Sequence, residues 1–155
     1  LEQLIHLTFK MAISALNTAI KNSIETVNVG TESNPSYCGW LPTERSRSGI
    51  ILSKIKCSYP ALLQYTDGHT ETELEFVTRH NIDFYLINPK PKQYDVLTIM
   101  EIHDLLSGYI YDFLKNLKQY YDCDFAGNRV RLVDQLPDGE AGIYFTLQID
   151  VQRPC

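Results

Sequence analysis

No Gly-rich phosphate loop occurs in this chain, and none of its four cysteines stands in a CxxC pair. The first absence removes the backbone cradle on which nucleotide phosphates are held. The second removes zinc-ribbon spacing. Cys38, Cys57, Cys123 and Cys155 are expected to be free thiols in a reducing compartment. Ser48-Gly49 and Ser107-Gly108 lack the flanking glycine pattern of a nucleophile elbow. No apolar run approaches the roughly 20 residues that span a bilayer. Glu2, His6 and Lys10 interrupt the opening segment, so it does not read as a signal peptide. The chain opens on Leu1, and Met11-Ala12-Ile13 is an alternative translation start. Basic residues are also in deficit: 14 Lys and Arg against 19 Asp and Glu give a formal charge of −5. That balance argues against a general phosphate-binding surface.

What remains is the composition of an ordinary globular protein. With 155 residues, 44% hydrophobic and 21% charged, the expectation is a single α+β domain over 1–155. A chain of that size buries roughly 70% of its unfolded surface without metal or disulfide staples. Apolar residues recur at three- and four-residue steps over 4–27, among them Leu4, Ile5, Met11, Leu16, Ala19, Ile20, Ile24 and Val27. This predicts an amphipathic helix, with Gly30 as a stop signal. Over about 28–58 the periodicity fades, which predicts a long irregular loop, with Ile50-Ile51-Leu52 as a short strand inside it. Tyr59-Pro60 opens a strand, and Asp67-Gly68 is a hairpin turn signal. The return strand carries Thr70, Thr72 and Leu74; after a break near Thr78-Arg79 another strand covers 81–87.

A second helix is expected over about 94–120, capped by Asp95. Its buried stripe reads Val96, Ile99, Ile102, Leu106, Tyr109, Ile110, Phe113, Leu114 and Leu117. Gly108 interrupts it at about 1 kcal/mol relative to alanine. Residues 122–128 read as a turn and 129–133 as a strand. In 143–151 every odd position is apolar, the pattern of a half-buried antiparallel strand whose outer face is Tyr144, Thr146, Gln148 and Asp150. The expected architecture is a two-layer sandwich: a mostly antiparallel sheet with two long helices on one face.

Chemistry is sparse. His69, Glu71 and Glu73 alternate along a strand and share a face, so with Asp83 they could hold a divalent metal. The plainer reading of the same residues is a solvated strand face beside a turn that protects an edge. Asp67, Glu73 and Asp83 could form the acidic set of a nuclease, but no lysine is well placed beside them. His103 and Asp104 are expected on the polar flank of the second helix, and His6 and His80 have no evident partner. The reading therefore assigns no catalytic residue, no metal and no cofactor. Tyr37, Trp40, Arg45 and Arg47 in the loop, with Tyr144 and Gln148 on the last strand, are the interface candidates. Trp, Tyr and Arg are the types enriched at binding hot spots. Trp40 could equally fold back over the sheet, and the alternative function is an adaptor that captures a protein through it.

The order of elements resembles the tail-terminator and tail-completion proteins of tailed bacteriophages. The likeness runs from the N-terminal helix and long loop through the strand at Tyr59-Pro60-Ala61, the hairpin and the strand 81–87. It continues through the helix beginning at Asp95 to the closing strands 130–133 and 142–151. It implies a non-catalytic virion protein forming a homo-oligomeric ring at the head–tail junction, docked on portal, neck or tail proteins. Such a part assembles in the host cytoplasm, makes no membrane contact and lets DNA pass without specific binding, for which an acidic lumen is suited.

Overall fold

The computed structural model describes residues 15–49 and 58–153. The expected strand at Ile50-Ile51-Leu52, the start of the first helix, Met11, Cys57 and Cys155 lie outside them.

Among the described residues the fold is α+β, with a mixed six-stranded sheet and two helices. Helix α1 is described over 15–25. Strand β1 (Gly39–Thr43) follows, then a 3-10 turn at Arg45–Arg47. Strands β2 (Ala61–Glu73) and β3 (Val77–Pro89) form a long hairpin. Helix α2 spans Val96–Leu117, followed by β4 (Asp122–Phe125), β5 (Val130–Val133) and β6 (Glu140–Gln152). The sheet order is β1-β2-β3-β6-β4, and β5 also pairs with β6. β6 runs antiparallel to β3 along its whole length, from Pro89↔Glu140 to Val77↔Gln152. Its other edge is shared, with β5 against 141–144 and β4 against 147–150.

Local chemistry accounts for the elements that were legible. The Asp95 side chain accepts a hydrogen bond from the Thr98 backbone N–H at 2.8 Å, an N-cap that contributes about 1 kcal/mol. The core stripe of α2 is Leu106, Ile110, Phe113, Leu114 and Leu117, all buried. These pack with Leu16, Ala19, Ile20 and Ile24 of α1, Phe84 and Leu86 of β3, and Phe145, Leu147 and Ile149 of β6 in one cluster. Phe84 stacks on Phe145 with ring centroids 5.4 Å apart, and Phe113 meets both edge-on. Burying each such side chain contributes about 1.5–3 kcal/mol.

Several expectations are corrected. Asp67-Gly68 is not the hairpin turn: β2 continues through it with an irregular register, and the hairpin turns at Leu74-Glu75-Phe76, where the Leu74 N–H donates to the Val77 carbonyl at 2.9 Å. No break occurs at Thr78-Arg79, which lie inside β3. The stretch 28–58 is not wholly irregular, since β1 lies within it and pairs parallel with β2. Part of the expected turn at 122–128 is strand β4, with Cys123 opposite Ile149. Val96 is 75% exposed, not buried, and His103 is buried, not on a polar flank. Its Nε2 lies 3.0 Å from the Leu132 carbonyl, joining α2 to β5. The second face of the sheet is not uniformly polar either. Leu41, Ala61, Leu63, Tyr65, Tyr85 and Ile87 are buried there, with Leu132, Leu136 and Tyr144 packed against them.

Candidate functional site

The register of β2 against β3 decides which side chains meet. Gln64 pairs with Phe84 and His69 with Ile82, so residues 65–68 of β2 lie opposite Asp83 alone. An odd excess of residues in one strand reverses which face its later side chains occupy. Gln64, before the bulge, faces α1: its Nε2 donates to Asn17 Oδ1 at 3.1 Å. Beyond the bulge that same face carries His69 and Glu71 instead of their neighbours Thr70 and Thr72.

The bulge is held by Arg45. Its guanidinium pairs with Asp83 at 2.5 Å and donates to the Tyr144 hydroxyl, while its Cζ lies 5.3 Å from the ring centroids of both Tyr65 and Tyr144. Its backbone N–H donates to Asp67 Oδ1 at 3.2 Å. Thr146 Oγ1 donates to the other Asp83 oxygen at 2.5 Å. Gly68 is required here, because a Cβ would stand 2.6 Å from Asp83 Oδ2. Burial pushes the Tyr65 and Tyr144 phenols up to about 12; the Asp83 hydrogen bond adds to this at Tyr144, and Arg45 opposes it at both.

Of the interface candidates, this knot brings Arg45 and Tyr144 together and leaves the others apart. Trp40 sits in β1, half-buried against the main core, and its Nε1–H donates to Gln64 Oε1 at 2.9 Å. Tyr37 is exposed and bridges to Asn28. Arg47 is exposed and lies 3.8 Å from Glu44. Gln148 lies half-buried in β6, between Asn81 of β3 and Asp124 of β4.

On the opposite face, His69, Glu71 and His80 converge. Glu71 is directly across from His80, and His69 lies two residues back along β2. His69 Nε2 is 2.8 Å from His80 Nδ1, and Glu71 Oε1 lies 3.9 Å and 3.8 Å from those two nitrogens. Burial holds both imidazoles below the usual histidine range; His80 lowers His69 further, and Glu71 opposes the shift at both rings. Among the described residues this is the grouping of histidine, cysteine and carboxylate side chains close enough to share an ion. Asp83, expected with it, points to the other face, so the expected ligand set is split across the sheet. His80 was missed in sequence because its partner depends on the bulge.

A third feature is a set of exposed apolar side chains on α2, of which Val96, Leu97 and Met100 are neighbours in its first turns. Val96, Leu97, Met100, Leu105 and Tyr111 are 50–75% exposed. Gly108 lies between Leu105 and Tyr111 with no atom within 4 Å of an added Cβ. Phe76, at the hairpin turn, is also 75% exposed. None of the described helices is long and apolar enough to cross a membrane. No protein-family model matches the chain, and no curated protein sequence matches it.

Proposed function

We propose that this chain is a structural protein of a tailed-phage virion, a ring-forming component of the head–tail junction of the tail-terminator, tail-completion or neck kind. It acts through contacts with copies of itself and with portal, neck or tail proteins, assembles in the host cytoplasm and performs no catalysis. In this reading α1 and α2 cover one face of the sheet as a two-layer sandwich, and the outer side of α2, the hairpin turn and the sheet edges meet neighbours.

The observation that carries the proposal is the exposed apolar group Val96, Leu97 and Met100 in the first turns of α2, neighbours at three- and four-residue steps. Exposed apolar groups of this kind lower the free energy of association when covered, by roughly 25 cal/mol for each Å² removed from solvent. Phe76 at the hairpin turn adds a second anchor of the aromatic type enriched at interfaces. The net charge of −5 suits a ring whose lumen must not retain DNA. The adaptor alternative is weaker, because the Trp40 indole is already engaged by Gln64 within the chain.

Light scattering coupled to size exclusion, followed by electron microscopy of the largest species, tests the proposal. Closed rings are expected, alone or on addition of neck and tail proteins. A species that stays monomeric at high concentration under all those conditions overturns it.

A further inference from the structure

We propose that His69, Glu71 and His80 form a zinc-class transition-metal site that clips the β2–β3 hairpin on the turn side of its bulge. The site goes beyond the assembly role and does not depend on it.

Two imidazoles and one carboxylate make a donor set suited to Zn²⁺ and its neighbours and poorly suited to Ca²⁺ or Mg²⁺, which take oxygen. Metal–ligand bonds of 2.0–2.2 Å at tetrahedral angles place ligand atoms about 3.3–3.5 Å from one another. The separations here, 2.8, 3.8 and 3.9 Å, straddle that value. Rotations of well under 1 Å at each side chain therefore reach the tetrahedral edge length.

The facing atoms are the ones a metal needs. His69 presents Nε2 and His80 presents Nδ1, and the carboxylate of Glu71 supplies the negative charge beside both. As the pair stands, one imidazole donates its proton to the other. Metal binding moves that proton to the ring's far nitrogen, through solvent, so that both facing lone pairs are free. Three protein ligands leave a fourth position to water.

The backbone holds the ligands in place beforehand. Glu71 and His80 are cross-strand partners, and the following pair, His69 and Ile82, anchors in the core through the fully buried Ile82. His80 is itself buried, its ring centroid 5.0 Å from that of His69. A metal here would tie β2 to β3 on the stretch running towards Phe76.

The test uses the full chain with Co²⁺ and Zn²⁺ as probes. Addition of Co²⁺ is expected to give visible ligand-field bands of a tetrahedral site at one equivalent, and Zn²⁺ is expected to displace it and raise the Tm. His69→Ala and Glu71→Gln, both at partly exposed positions, are each expected to weaken binding at least tenfold while leaving the metal-free fold intact. His80→Ala should abolish binding, with the metal-free Tm of the first two variants serving as the control for folding. No spectrum at millimolar Co²⁺ overturns the proposal. So does a spectrum with thiolate charge-transfer bands, or one unchanged by His69→Ala and Glu71→Gln, because the ion would then be bound elsewhere.

Discussion

Arg45, in the turn after β1, reaches Asp83 on β3 at 2.5 Å across 38 residues of sequence. With Thr146 on the other carboxylate oxygen and Asp67 on the Arg45 backbone, this pair fixes the bulge at 65–68. The bulge in turn decides which residues of the outer hairpin share the face of Ile82 and Phe84.

Gly68→Ala is therefore expected to destabilise the fold by about 1–3 kcal/mol, the usual range for forcing an extra methyl into a packed site. The new methyl would press on Asp83 Oδ2 and Cβ at 2.6 and 2.9 Å. Part of that loss should disappear in an Asp83→Ala background, where Oδ2 is gone. A double-mutant cycle by urea denaturation measures the coupling. Strict additivity would show that the glycine is not held against Asp83.

Alkaline pH should weaken the same region. The Tyr65 and Tyr144 phenols are raised to about 12, burial being the main cause, and burial with the Glu140 hydrogen bond raises Tyr85 further. A group whose folded-state pKa lies above its unfolded value of about 10 contributes stability below that value and loses it as pH rises through the folded one. Stability is thus expected to be intact up to about pH 10 and to fall between about 10 and 12. Phenolate absorbance during a pH titration should show these tyrosines ionising late and together with unfolding. Early ionisation of all ten tyrosines without unfolding would contradict the buried knot.

Cys38 and Cys123 should be unreactive in the folded protein. Both are buried free thiols, pushed up to about 12 and about 11 chiefly by burial, and the thiolate is the reactive form. Alkylation followed by peptide mass spectrometry is expected to label them only after denaturant is added. Rapid labelling of either in buffer would mean that the β4 edge or the start of β1 opens readily.

The exposed apolar side chains in the first turns of α2 should matter for assembly and not for folding. Leu97→Lys with Met100→Lys changes side chains that are 66% and 50% exposed. The monomer's stability should change by less than about 0.5 kcal/mol for each, as at other surface positions. Ring formation or partner binding should fall at least tenfold by light scattering or sedimentation. Unaltered association would place the interface on another surface.

Much of the frame was legible because it rests on local rules. The alternation of Ile143, Phe145, Leu147 and Ile149 gave β6, and these residues are buried to the last one. Asp95 gave the start of α2 through its cap. The misses share a cause. Asp67-Gly68 carries the residues of a tight turn, yet Asp67 accepts from the Arg45 backbone and Gly68 sits against Asp83, so the tertiary contacts override the turn preference. The true turn, Leu74-Glu75-Phe76, has no turn residues to announce it. β1 was hidden because Pro42 interrupts it, and an edge strand with a single neighbour tolerates that.

Local pattern and composition were enough for the periodic elements, the acidic balance and the lack of a phosphate loop, since none of these needs contacts between distant residues. That His80 meets His69 and Glu71 while Asp83 goes to Arg45 follows from the folded chain alone. The cause is the register of one strand pair: four residues opposite one shift β2 by an odd number and exchange its faces. That shift is set by contacts between residues far apart in the chain, which no local pattern records.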